Sequence, residues 1–151
     1  MKLNAFGDVC LRTLMLLGSR PAEQRTSREI AEAIGVPYHH VTKAVLELRR
    51  RGAVDVARGR AGGATISPRG LQLSVGELLR SLDEQLDVVD CTTGDTPCPL
   101  LAGCRLRVAL RRAREAFYAE LDPLTVHDLS ATTPAQAVNL LPPQAPTDSA
   151  R

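Results

Sequence analysis

The 151-residue sequence has no tryptophan, only two tyrosines and two phenylalanines, so aromatics make up 3% of the chain. Its core must be assembled from Leu, Val, Ile and Ala, which suits small helices packed close together. Long apolar runs are missing too. The most apolar early stretch, Leu11 to Gly18, is broken by Arg12 and Thr13 and is far shorter than the ~20 residues a membrane helix needs. The start, Met1-Lys2-Leu3-Asn4, lacks a charged n-region, an apolar h-region and a cleavage site, so no secretory signal is expected. The expectation is a soluble, cytoplasmic protein with no membrane association. In that compartment cysteines are rarely structural disulfides and more often bind metal or respond to redox change, and the chain has four. A phosphate-binding glycine loop and a Ser/His/Asp set are both absent, and little chain is left for a second cofactor site, which argues against an enzyme. No internal repeat is present.

The formal net charge of +2 hides an asymmetry. Residues 1–70 carry 12 Lys/Arg against 6 Asp/Glu, whereas residues 71–151 carry 7 against 11. The front half suits a polyanion and the back half a different task.

The front half has helical spacing first. Phe6, Val9, Cys10, Leu14 and Leu17 recur at the period of a helix over 5–18. Thr26-Ser27-Arg28-Glu29 forms a capping box that starts a second, short helix with Ile30, Ala31 and Ile34 inside. Gly35 ends it and Val36-Pro37 opens a third over about 37–51, which buries Val41, Ala44, Val45 and Leu48. After Gly52 the period changes. Two short strand-like segments, 53–57 and 64–67, flank the basic turn Arg58-Gly59-Arg60-Ala61-Gly62-Gly63, which predicts a β-hairpin.

A capped helix, a tight turn, a basic amphipathic helix and a basic glycine hairpin, in that order, predict a winged helix-turn-helix over 1–73. The recognition helix enters the major groove, while the arginines of the wing suit the sugar-phosphate rim or the narrow minor groove. Candidate contacts to double-stranded operator DNA are Arg28, Tyr38, His39, Thr42, Lys43, Arg49, Arg58 and Arg60. The bland reading of such a helix is a solvated charged face; the preceding helix, turn and wing together outweigh it. His39 and His40 read as surface polar residues rather than metal ligands.

In the back half, Ser74-Val75-Gly76-Glu77 is a second capping box, opening a helix with Leu78, Leu79 and Leu82 inside. A long helix is expected from about Leu100 to Leu121, with Leu106, Leu110, Ala113, Phe117 and Leu121 on one stripe. That stripe serves either homodimerisation or packing within the subunit, and operator symmetry favours the dimer. Residues 74–128 thus form a cysteine-bearing loop and a dimerisation helix. Residues 129–151, with Pro134, Pro142, Pro143 and Pro146 and no periodicity, read as a disordered tail.

Between the two helices Cys91, Cys98 and Cys104 are spaced C-x6-C-x5-C. Structural zinc sites favour four ligands and closer pairs. Three thiolates completed by one ligand from elsewhere suit an iron–sulfur cluster, with zinc, a disulfide switch or unconnected thiols as the other readings of the spacing. Cys10 lies on the apolar stripe of the first helix and reads as a small buried hydrophobe.

Val89-Asp90-Cys91, Pro97-Cys98-Pro99-Leu100, Cys104-Arg105-Leu106, Ile30-Ala31-Glu32 to Val36-Pro37, and the wing from Arg58 to Gly63 resemble the iron–sulfur winged-helix transcription regulators typified by NsrR and IscR. The resemblance spans about residues 1–128 and is strongest to the nitric oxide-sensing branch. It implies a repressor that binds DNA as a homodimer, with a 4Fe–4S cluster on Cys91, Cys98 and Cys104 and a 2Fe–2S form as alternative or breakdown product. It further implies that an acidic residue of the other subunit, in the place of Asp8, completes the cluster, and that nitric oxide releases the repressor from DNA. The cluster-biogenesis branch draws on a His shortly after the third cysteine, where this sequence has Arg107 and no nearby His. The readings left open beside it are a regulator of the same fold sensing cluster supply or redox state, a zinc-bound interaction module and an electron-transfer protein.

Overall fold

A computed structural model describes residues 3–59, 62–83 and 98–131. In chain order they form α1 (Ala5–Gly18), α2 (Ser27–Ile34), α3 (Tyr38–Arg50), β1 (Val54–Ala57), β2 (Gly63–Ile66), α4 (Pro68–Leu71), α5 (Val75–Leu82), a 3₁₀ turn at Leu101–Gly103, α6 (Arg105–Leu121) and α7 (Val126–Ser130). The expected class, mainly helical with a small hairpin wing, is the one observed.

Local chemistry explains most of the boundaries. Asn4 caps α1 by accepting the Phe6 N–H at 2.9 Å. Thr26 and Glu29 form the full capping box of α2: Thr26 Oγ1 accepts the Glu29 amide at 3.2 Å and Glu29 Oε2 accepts the Thr26 amide at 2.7 Å. Gly35 ends α2 at φ 66°, in the left-handed region where a Cβ is unfavourable. α3 starts directly after Pro37 without a side-chain cap. Ser74 provides half of the second expected box, accepting the Glu77 amide at 3.2 Å, while its own hydroxyl donates to the Asp122 carbonyl at 2.9 Å.

β1 and β2 pair antiparallel from Val54 opposite Ile66 to Ala57 opposite Gly63. Arg25 adds a further rung, exchanging backbone bonds of 3.0 and 2.7 Å with Ala64, so the chain entering α2 braces the root of the wing.

The core joins α1, α2, α3, the hairpin, α5 and α7 through Leu14, Leu17, Ile30, Val41, Leu48, Val54, Leu78 and Val126, each at most 2% exposed. Burying each of these side chains stabilises the fold by ~1.5–3 kcal/mol. Thr13 is buried with them because its hydroxyl donates to the Val9 carbonyl at 2.8 Å. A second, smaller cluster of Val75, Leu79 and Tyr118 fastens α6 to α5. α7 then turns back onto α1.

The long helix differs from expectation in two ways. It begins at Arg105 rather than near Leu100, since 100–103 tighten into the 3₁₀ turn and Cys104 becomes the cap. Much of its stripe faces outward among the described residues: Leu106 is 62% and Phe117 39% exposed, while Tyr118, outside that stripe, is buried. Leu121, at the end of the stripe, packs instead against the Val75, Leu79 and Tyr118 cluster of its own subunit. The segment 129–151 begins inside α7, which runs to Ser130, and its residues 132–151 lie outside the described ones. No helix among the described residues is long and apolar enough to cross a membrane.

Candidate nucleic-acid interface and cysteine centre

α3 buries Val41, Ala44, Val45 and Leu48 and turns its other face to solvent. Of the DNA candidates on α3, Tyr38, His39, Thr42, Lys43 and Arg49 are all exposed there. Tyr38, at the first turn, meets the guanidinium of Arg28 from α2, 5.7 Å above its ring centroid, so the two helices of the motif present one joined surface. Thr42 donates to the Tyr38 carbonyl at 3.0 Å, leaving its lone pairs outward. The rings of His39 and His40 lie 4.0 Å apart between centroids, tilted by 41° to each other. Charge on the helix is sorted. Glu47 takes two hydrogen bonds from Arg50, at 3.0 and 2.8 Å, and one from Arg51 at 2.6 Å; bonding to Arg50 foremost holds the Glu47 carboxyl below the usual range. Arg50, next to Arg49 on α3, is thus engaged along the helix. Arg58 is exposed at the tip of the hairpin beside Gly59, whose φ is 106°. Arg60 lies outside the described residues.

The cysteines separate by environment. Cys10 is fully buried in the main core, and desolvation, seconded by the Glu47 charge, pushes its thiol up to about 12. It packs as a small hydrophobe and is closed to ligation. Cys98 and Cys104 are free, half-buried thiols at the approach to α6. Cys104 is the N-cap of the 17-residue α6, its Sγ accepting the Arg107 amide at 3.4 Å. The Cys98 carbonyl accepts the Leu101 amide at 3.1 Å and so fixes the turn joining the two. Cys91 lies outside the described residues. Soft, reachable sulfur at 98 and 104 fits an iron–sulfur group, whereas Cys10 does not.

Asp8 stands in the first turn of α1, on the side away from Cys10, and pairs with Arg12 at 2.9 Å. Its carboxylate is 39% exposed and so open to a second molecule. Among the described residues no three His, Cys, Asp or Glu side chains gather around one centre.

A polar assembly at the junction of α5 and α6 carried no signal in the sequence. Arg80 grips Asp122 with two bonds of 3.1 and 2.8 Å, reaches Glu115 at 2.9 Å, and lies 5.5 Å over the Tyr118 ring. Its partners are 35 and 42 residues away, and only tertiary folding brings them together.

A braced hairpin beside an exposed basic helix, with a capped helix behind it, makes this a winged helix-turn-helix transcription regulator. Solved structures superpose accordingly: Staphylococcus aureus CymR with a TM-score of 0.66 at 20% identity over 86% of this chain and 98% of that one, and T. potens IscR with 0.62 at 21% over 85% of each. At such identities the likeness is one of fold.

The chain belongs to the Rrf2 family, described as iron-dependent transcriptional regulators, whose model matches residues 3–132. It is 52% identical over 136 residues to the HTH-type transcriptional repressor NsrR of Streptomyces coelicolor, covering 87% of this chain and 89% of that protein. It is 37% identical to the HTH-type transcriptional regulator NsrR of Geobacillus kaustophilus over 131 residues, 85% and 89% of the two chains. The protein is therefore an NsrR-like, DNA-binding transcription regulator of the Rrf2 family and not an enzyme.

Proposed function

We propose that this chain is a homodimeric repressor that holds a 4Fe–4S cluster on Cys91, Cys98 and Cys104, completed by Asp8 of the second subunit, and that it leaves its operator when nitric oxide reaches the cluster. The observation that carries the reading is the contrast between Cys10, sealed in the core, and Cys98 and Cys104, free and reachable at the capped start of α6. The two NsrR relatives and the family's description as iron-dependent support it from outside the structure. Nitric oxide as the signal comes from the family resemblance. When bound, the cluster supplies iron that reacts with nitric oxide.

The chain's own residues do the rest. Cys104 presents sulfur with an amide donor behind it. Asp8 offers oxygen, harder than thiolate and more easily displaced by a competing ligand. The outward stripe of Leu106, Leu110 and Phe117 provides the surface on which two copies pair. Tyr38, Lys43, Arg49, Arg58 and Arg60 meet the duplex, with Arg28, His39 and Thr42 at the edges of that surface.

Anaerobic purification followed by iron and sulfide analysis, a visible spectrum and operator binding tests this directly. A coloured protein with equal iron and sulfide is expected, with Cys98→Ala nearly colourless and Cys10→Ala still coloured. Zinc in place of iron, or full iron and sulfide in Cys98→Ala, removes the assignment.

A further inference from the structure

Three consecutive residues at the end of α5 are each held by a different helix. Ser81 accepts two bonds from Arg51, the C-cap of α3: Nη1 to Oγ at 2.7 Å and Nη2 to the carbonyl at 3.5 Å. Leu82 accepts the Asn4 side-chain amide at 3.1 Å, and Asn4 is the N-cap of α1, whose carbonyl also takes the Asp8 amide at 3.0 Å. Asp83 accepts the Tyr118 hydroxyl of α6 at 2.5 Å and has Arg114 of the same helix at 3.8 Å. Leu82 itself is buried in the main core. One turn of backbone thus meets the recognition helix, the helix bearing Asp8, and the helix that Cys104 caps.

We infer that this last turn of α5, Ser81 to Asp83, relays the state of the cysteine centre to the recognition helix, with Arg51 as the positioning residue that carries it into α3. The inference rests on the cluster-sensing reading above. In sequence the three cysteines lie between Asp83 and α6, and α6 holds both flanks, Asp83 through Tyr118 and Cys104 as its own cap. A helix moves as a body. A change in how Cys98 and Cys104 are held therefore shifts α6 against α5, and Tyr118 and Arg114 pass that shift to Asp83. Two residues back, Ser81 passes it to Arg51. Arg51 also bonds Glu47 at 2.6 Å, one helical turn back inside α3, so the shift is delivered to the helix itself and not only to its cap.

The Arg51–Glu47 link is the sheltered step of this relay. The side chains of Arg51 and Glu47 are only 26% and 19% exposed, and charge-assisted bonds screened from water are stronger than open surface pairs. Ser81 is a convenient place to break the relay, because it is exposed and, among the described residues, its hydroxyl otherwise donates only to the Leu78 carbonyl at 2.7 Å.

The experiment compares full-length wild type, Ser81→Ala and Arg51→Gln, each cluster-loaded anaerobically and each stripped of its cluster. The probe is a duplex selected from a random library by loaded wild-type protein. The readout is the ratio of stripped to loaded Kd, which measures coupling between the two sites. Both variants are expected to keep the wild-type visible spectrum and iron content while the ratio falls about fivefold or to unity, whichever comes first. Loss of a merely structural bond would weaken both forms alike and leave the ratio in place. An unchanged ratio in Ser81→Ala overturns the relay, even where Arg51→Gln fails to fold. A ratio of one in the wild type refutes the sensing reading itself, which is a distinct failure and takes the relay with it.

Discussion

Tyr118 donates its hydroxyl to Asp83 at 2.5 Å, tying the last turn of α6 to the residue that closes α5, 35 positions earlier. The ring is buried and flanked by Arg80 and Arg114, whose guanidinium carbons lie 5.5 and 6.0 Å from its centroid. Tyr118→Phe keeps the packing and removes only the bond to a charged acceptor. The loss expected is ~1.5–3 kcal/mol, the range for a hydrogen bond to a charged group, read as a lower urea midpoint at unchanged slope. A midpoint equal to wild type would mean that the Tyr118 bond adds nothing to what Arg114 and the other neighbours of Asp83 already supply.

The same contact makes an alkaline signature. Burial first, and the bond to Asp83 second, push the Tyr118 hydroxyl up to about 12. Its neutral form is favoured by folding, so the stabilisation is complete below the ordinary tyrosine range near ~10 and is lost as pH rises through about 12. The chain has two tyrosines and no tryptophan, which leaves phenolate absorbance easy to read. One of the two ionisation steps should lie near 12 and vanish in Tyr118→Phe. Two steps that both survive the substitution would contradict the assignment.

What the sequence could announce was local. The Thr26 and Glu29 box, the Gly35 terminus and the hairpin around Arg58 and Gly59 depend on residues within a few positions of one another, and they appear as expected. Cys10 was legible for the same reason, as one point on a helical stripe. α4 and α7 were not, because four or five residues are too few to show a period. The start of α6 was misplaced since a 3₁₀ turn and an α-helix share apolar content at 100–104. Tyr118 escaped notice because it sits one position beyond the obvious stripe at Phe117. Arg51 with Ser81, and Arg80 with Asp122, are long-range pairs of ordinary surface-type residues. Nothing in their spacing distinguishes them from solvated charges.

Gly76 allows α5 and α6 to touch. A Cβ there would run into the Tyr118 carbonyl and Asp122 Oδ1, and would stand 2.6 Å from the Asp122 amide. Two of these are backbone atoms that cannot swing aside. Gly76→Ala should destabilise by at least ~1–3 kcal/mol, the usual range for overpacking, whereas Gly7→Ala, which meets only the flexible tip of Leu79 at 3.1 Å, should cost far less. Thermal unfolding of the two variants side by side checks the order. Equal midpoints would show that α6 is free to lift away from α5.

On the DNA surface, engaged and unengaged arginines should behave differently. Arg49 and Arg58 are exposed, whereas Arg50 is held by two bonds to Glu47. Replacing Arg58 and Arg60 together should weaken operator binding. A base-edge contact would cost ~1–3 kcal/mol, and a phosphate contact would lower the salt slope by about one. Arg50→Ala should change affinity less than Arg49→Ala. Unaltered binding by the Arg58→Ala, Arg60→Ala double variant takes the wing out of the interface.

The proposed ligation by Asp8 is the point on which the architecture of the proposed cysteine centre turns. In the single chain its carboxylate is neutralised by Arg12 at 2.9 Å and lies on the rim of α1, not among the described cysteines. The ordinary reading of such a residue is a first-turn carboxylate favoured by the helix dipole. Ligation across a dimer predicts more. Asp8→Ala should still assemble a cluster on three thiolates, with altered nitric oxide kinetics and weaker coupling to DNA. Mixed dimers separate the geometries. In the first, one subunit carries Asp8→Ala and the other lacks Cys91, Cys98 and Cys104. Ligation in trans leaves the surviving cysteines facing an intact Asp8, so one cluster with wild-type kinetics is expected. In the second, both lesions share a subunit, and the intact cysteines then face the altered position. Ligation within a subunit reverses the two results. If the first dimer reacts like Asp8→Ala and the second like wild type, Asp8 serves its own subunit. If both match wild type, its partner is Arg12 alone.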